Sequence, residues 1–148
     1  MDTRVFFTYP TADAEPPASE PGFLDGCSER QWDTLLTHMQ TRNLRAGETL
    51  FAEGDLDRAL YLLTAGLLEL SGTDSPPAAV EPPSPLGELA FIDGDRQPAN
   101  ARAVTDAQVL RLSFHAFESL AARDPHLATR ILLDLGRILA ARLRTTSS

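Results

Sequence analysis

From Leu44 onward the apolar residues come in short runs with a glycine at each corner, and this limits the middle of the chain to tightly turned β structure. Leu44–Asp55 holds two such runs, cornered by Gly47 and Gly54. Ala59–Thr64 and Gly66–Ser71 form another pair around Ala65-Gly66. A corner of a β-barrel needs either a positive φ or a close backbone approach, and glycine permits both. Helical spacing is confined to the two ends. Ser28-Glu29-Arg30-Gln31 has the form of a capping box, followed by Trp32, Leu35, Leu36 and Met39 on one helical face. Ser113 stands as an N-cap before Phe114–Arg123, where Phe117 and Leu120 share a face. Asp124-Pro125 opens a further helix reaching about Leu143. The fold class is therefore mainly β with flanking helices, one N-terminal and two C-terminal.

Two further stretches complete the β layer. Between Gly72 and Pro85 the prolines at 76, 77, 82, 83 and 85 cannot donate to a central ladder, so any strand there is short and at an edge. Ala99–Val104 and Ala107–Leu112 are expected to close the barrel, with Leu110 and Leu112 facing its core. A chain of 148 residues with 43% hydrophobic content builds one core, and residues 23–144 read as one domain. Residues 1–22 read as a tail or linker. Val5–Tyr9 is apolar and β-prone, able to add to a sheet edge or dock a partner, and Thr11–Pro21 is rich in proline, alanine and acid.

Several function classes fall away on residue content. A net charge of -8 leaves no electrostatic footprint for a phosphate backbone, so no nucleic acid partner is expected. Every basic residue is arginine, which reads as a bias of genome composition. His38, His115 and His126 lie far apart, without a His-x-His or His-x-x-x-His arrangement, so no metal site is expected and a cupin-type metalloenzyme is disfavoured. No nucleophile elbow and no phosphate loop ending in Lys-Ser/Thr is present, and no catalytic residue is assigned. The lone Cys27 reads as a half-buried small apolar residue. The N-terminus lacks signal-peptide character, and no apolar run is long enough to span a bilayer. The expectation is a cytoplasmic protein with no membrane partner.

The stretch Leu86–Ala103 carries the chemistry. Gly87 permits a sharp bend, Glu88-Leu89-Ala90-Phe91-Ile92 has the composition of one helical turn, and Asp93-Gly94-Asp95 ends it. The unpaired N–H groups of such a turn suit an anion, and Glu88 beside them can accept hydrogen bonds from sugar hydroxyls. Asp93 and Asp95 flank a turn glycine and read as solvated turn residues.

This stretch resembles the phosphate-binding cassette of the cyclic nucleotide-binding domain family, whose pattern runs approximately Phe-Gly-Glu-Leu-Ala, a short turn, then Pro-Arg-Ser/Thr-Ala. Gly47, Gly54, Gly66, Asp55 and Leu60-Tyr61 resemble the opening half of that family's β-roll, and Ala103 and Asp106 its exit from the cassette. The resemblance covers Leu44 through about Leu143. It implies a jelly-roll-like β-roll of the cyclic nucleotide-binding type, and a regulatory or sensory role with cyclic AMP or cyclic GMP as the candidate ligand. It includes bacterial transcription regulators in which a helix-turn-helix follows the long helix, and none is expected within these residues. The candidate ligand-binding residues are Gly87, Glu88, Leu89, Ala90, Arg96, Gln97 and Ala99. The resemblance implies that Glu88 binds the ribose hydroxyl.

The second half of the cassette departs from the family. Its phosphate arginine falls on Gln97 and its hydroxyl on Pro98, and the Gly-Asp pair that usually leads in is absent. Losing one charge-assisted hydrogen bond of about 1.5–3 kcal/mol weakens binding roughly tenfold to a hundredfold. The cassette therefore reads as degenerate, with cyclic nucleotide binding weak, altered or lost. Arg96 is the one rescue, if its long side chain turns into the pocket. The alternative is a ligand-free dimerisation or protein-interaction module. Leu127, Ile131, Leu135 and Ile138 make one stripe on the last helix, and Leu132, Leu139 and Leu143 make a neighbouring one. So wide an apolar surface, with Gly136 in its middle, suits either a homodimer through residues 127–143 or a helix well buried in its own domain.

Overall fold

A computed structural model describes residues 22–147, so the Val5–Tyr9 segment and nearly all of the expected 1–22 tail lie outside the described residues. In chain order the elements are α1 (Glu29–Thr37), β1 (Gln40–Leu44), β2 (Thr49–Phe51), β3 (Ala59–Ala65), β4 (Leu68–Gly72), β5 (Ser75–Val80) and β6 (Ser84–Leu86). There follow α2 (Glu88–Asp93), β7 (Asn100–Ala103), β8 (Ala107–Ser113), α3 (Phe114–Arg123) and α4 (Pro125–Ser147). The expected class, mainly β with one helix before and two after, is the class observed.

The eight strands form two four-stranded antiparallel sheets, ordered β1-β8-β3-β6 and β2-β7-β4-β5. Apart from the β4–β5 hairpin, successive strands do not pair with each other. β1 and β2, β3 and β4, and β7 and β8 each divide between the two sheets. The corner glycines carry the chain across: Gly47, Gly54 and Gly66 all have φ near +90°. At Gly66 a methyl group would fall 2.3 Å from the Asp106 carbonyl oxygen, so the crossing there requires glycine. β1 begins at Gln40, four residues before Leu44, because polar Gln40-Thr41-Arg42-Asn43 is tolerated at a sheet edge. The proline-rich stretch forms β5 and β6, each at the edge of its own sheet.

Two apolar clusters result. One fills the space between the sheets, with Phe51, Tyr61, Leu63, Leu68, Leu86 and Val109 among its members. The other lies outside it, where Leu60 and Leu112 meet Phe91, Phe117, Leu120, Leu127, Ile131 and Leu135. This corrects the expectation for β8. Ala107 and Val109 face the barrel interior, Leu112 is buried beneath the helices, and Leu110 is only partly buried. A strand sandwiched between an interior and a helical layer is apolar on both faces, so alternation alone cannot identify the inner one.

The helical starts follow the sequence signals. Ser28 Oγ accepts from the Gln31 amide while Gln31 accepts from the Ser28 amide. Ser113 Oγ accepts from Ala116, and Asp124 Oδ1 from Leu127. On α1, Leu35 is buried whereas Leu36 remains 44% exposed, against the expectation that both would seat on the core. The carbonyl of Thr34 accepts from the ring of His38, which is the partner that a half-buried histidine needs. On α4, Leu127, Ile131, Leu135 and Ile138 are buried.

Candidate functional site

The cassette folds as its residues dictate. Gly87 (φ +74°) caps α2 at its start and Gly94 (φ +72°) at its end. A side chain at Gly87 would place its first carbon 3.0 Å from the Ala59 carbonyl oxygen, so glycine is required twice over, by φ and by space. Asp93 Oδ1 accepts from the Asp95 amide and Asp95 Oδ1 from the Arg96 amide, so both carboxylates shape the turn, as expected.

A cleft above α2 is lined by Phe51, Leu70, Gly87, Leu89, Gln97, Pro98 and Ala99. Four of the expected residues (Gly87, Leu89, Gln97 and Ala99) thus come together in one place. Ala90 is fully buried behind the cleft. Arg96 does not join them. It is exposed, and its Nη1 donates to the Gly54 carbonyl at 2.9 Å. Adjacent residues on an extended segment point opposite ways, and Gln97 takes the inward one. The cleft offers about 10 Å³, the room of a single water.

Gln97 is held from three sides. Its Nε2 donates to the Asp57 carbonyl at 3.0 Å, its amide to the Asp55 carbonyl, and its carbonyl accepts from the Gly54 amide. Asp57 in turn accepts from the Tyr61 hydroxyl (2.5 Å) and from Arg111 Nη2 (3.1 Å), and Arg111 Nε donates to the Tyr61 oxygen. Burial, and then the Asp57 bond, push the Tyr61 phenol up to about 12.

Glu88 is buried, 1% exposed, and receives Arg142 Nη1 from α4 at 2.7 Å. Arg142 is itself buried. An ion pair this far from water persists because each charge compensates the other. Sequence reasoning misses Arg142, as it misses Phe51 and Leu70 in the cleft wall and Asp57 behind Gln97. The only signal of Arg142 is a basic residue in place of an apolar one next to the buried stripe of α4. Among the described residues no cluster of metal-ligating side chains occurs, and no helix is long and apolar enough to cross a membrane.

The cyclic nucleotide-binding domain family matches residues 41–124, more than half of the chain. The cyclic AMP receptor protein of Thermus thermophilus is 32% identical over 124 residues, covering 80% of this chain and 56% of its own. Among solved structures, a cyclic nucleotide-binding domain from Methylobacillus flagellatus superposes with a TM-score of 0.75 at 26% identity, covering 81% of this chain and 70% of that one. The N-terminal domain of a transcriptional regulator from Streptomyces coelicolor gives 0.69 at 29% identity, covering 88% and 93%. The chain spans about half the length of the curated relatives it matches. The two antiparallel sheets, the glycine-capped turn between β6 and β7 and the sequence match agree: this chain belongs to the cyclic nucleotide-binding domain family.

Proposed function

We propose that this chain is a regulatory module whose cassette has lost tight cyclic nucleotide binding, and whose output is the posture of α3 and α4. The observation that carries the reading is the setting of Gln97. An uncharged amide, spent on the Asp57 carbonyl, stands where the family places its phosphate arginine. Pro98 beside it has neither hydroxyl nor N–H to offer. Arg96 is directed to Gly54, so it brings no guanidinium to the cleft. A ribose hydroxyl arriving at Glu88 would share that carboxylate with Arg142 and so act on the last turns of α4. Cyclic AMP and cyclic GMP remain the ligand chemistry to which the site is related, and the relatives' names include a cyclic AMP receptor.

A second reading, a homodimer through residues 127–143 that needs no ligand, is favoured by the outer face of α4. Leu132, Leu133 and Leu143 are 44%, 50% and 38% exposed, and a methyl group at Gly136 would touch nothing. Exposed leucines around an open glycine suit close approach of a second α4. The net charge of -8 on these 148 residues disfavours a nucleic acid partner for this module. Isothermal titration with cyclic AMP, cyclic GMP and cyclic di-GMP tests the first reading. No saturable binding in the micromolar range is expected, and micromolar affinity for a cyclic mononucleotide would overturn it. Light scattering over a concentration series tests the second, which a strict monomer would remove.

A further inference from the structure

The short helix α2 ends on a guanidinium from another loop. Arg58 precedes β3 and donates through Nε to the Phe91 carbonyl (3.0 Å) and through Nη2 to the Ile92 carbonyl (3.1 Å). These are carbonyls of the last turn, which have no partner within a helix that stops at Asp93. The same guanidinium lies flat over the Phe114 ring, its central carbon 3.5 Å from the centroid. Phe114 is the first residue of α3, and its amide donates to the Arg58 carbonyl at 3.0 Å. Gly94 makes room for this arrangement, since a side chain there would begin 3.3 Å from the Arg58 guanidinium carbon.

One planar cation therefore touches the C-terminal end of the cassette helix and the N-terminal end of the helix that leads to α4. Beneath it, Phe91 packs edge-on against Phe114 (5.6 Å) and Phe117 (5.4 Å). We propose that Arg58 is a positioning residue that couples α2 to α3, so that displacement of the cassette helix moves the start of α3 with it. The proposal deepens the reading of the chain as a regulatory module, and its test requires no ligand.

The chemistry explains why arginine is needed. A lysine ammonium is a point charge, and it cannot bond two carbonyls in a fork while its plane stacks on a ring. Hydrogen exchange resolved by residue reads the coupling directly. Arg58→Gln should speed exchange about tenfold at Gly94, whose amide caps α2, and at Phe117 in α3, leaving Leu63 and Val109 of the barrel unchanged. Phe114→Leu should speed exchange at Gly94 although residue 114 lies outside α2. In the Arg58→Gln background it should add less there than in the unaltered protein, because the shared cation is gone and only the Phe91–Phe114 contact is left to lose. Arg58→Lys should behave as Arg58→Gln does. If Arg58→Gln does not fold, Arg58→Lys and Phe114→Leu carry the same comparison.

Loosening of α2 with α3 untouched, independent multiplication of the two effects, or full protection by lysine would each overturn the coupling. Nucleotide titration bears on the module reading alone, so a failure of that reading is told apart from a failure of this one.

Discussion

Tyr61 carries its hydroxyl between Asp57 and Arg111, and its raised pKa makes it a reporter of the loop that holds Gln97. The folded phenol ionises near 12 and the unfolded one near 10. The folded state thus favours the protonated form. Its contribution to stability is complete below pH 10 and is lost as the pH rises toward 12. In a Tyr9→Phe background, absorbance of the phenolate should rise only near pH 12, and urea unfolding should weaken through the same window. Ionisation near pH 10 in the folded protein would contradict the burial of the phenol and its bond to Asp57. At Arg142 the expectation is a stability loss. Arg142→Met deprives the buried Glu88 carboxylate of its guanidinium and should cost about 3 kcal/mol in urea unfolding, with Glu88→Gln in that background recovering part of it.

The helices were legible residue by residue because caps and stripes are local. Ser28 with Gln31, Ser113, and Asp124-Pro125 each mark a start by bonds within a few residues. Most strand positions were legible too, β1 excepted, since Gln40–Leu44 ends where the expected run begins, but not their partners. Whether β3 pairs with β4 or crosses to β8 depends on contacts between residues 50 apart, such as Tyr61 with Arg111, which no local pattern encodes. At the level of single elements Gly136 gives the sharpest test. With open space around it, Gly136→Ala should stabilise an isolated α4 by about 1 kcal/mol. If two α4 helices meet there, the same change should raise the concentration at which dimer forms. A stability gain with dimerisation unaffected would place the interface elsewhere. Gly87→Ala should act in the opposite sense, lowering the melting temperature, because both its φ of +74° and the Ala59 carbonyl resist a side chain.

For the whole molecule, half of the site could be read from one continuous stretch and half could not. Gly87, Leu89, Gln97 and Ala99 lie close in sequence and line one cleft. Arg142 reaches Glu88 from the far end of α4, across 54 residues, and only the fold brings them together. Loss of the positive charge at position 97 is the central claim, and restoring it is the most direct measurement. Titration of cyclic AMP into Gln97→Arg/Pro98→Ser and into the unaltered protein should show the restored pair binding roughly tenfold to a hundredfold more tightly. Equal affinity in the two proteins, or tight binding before any change, would contradict the account.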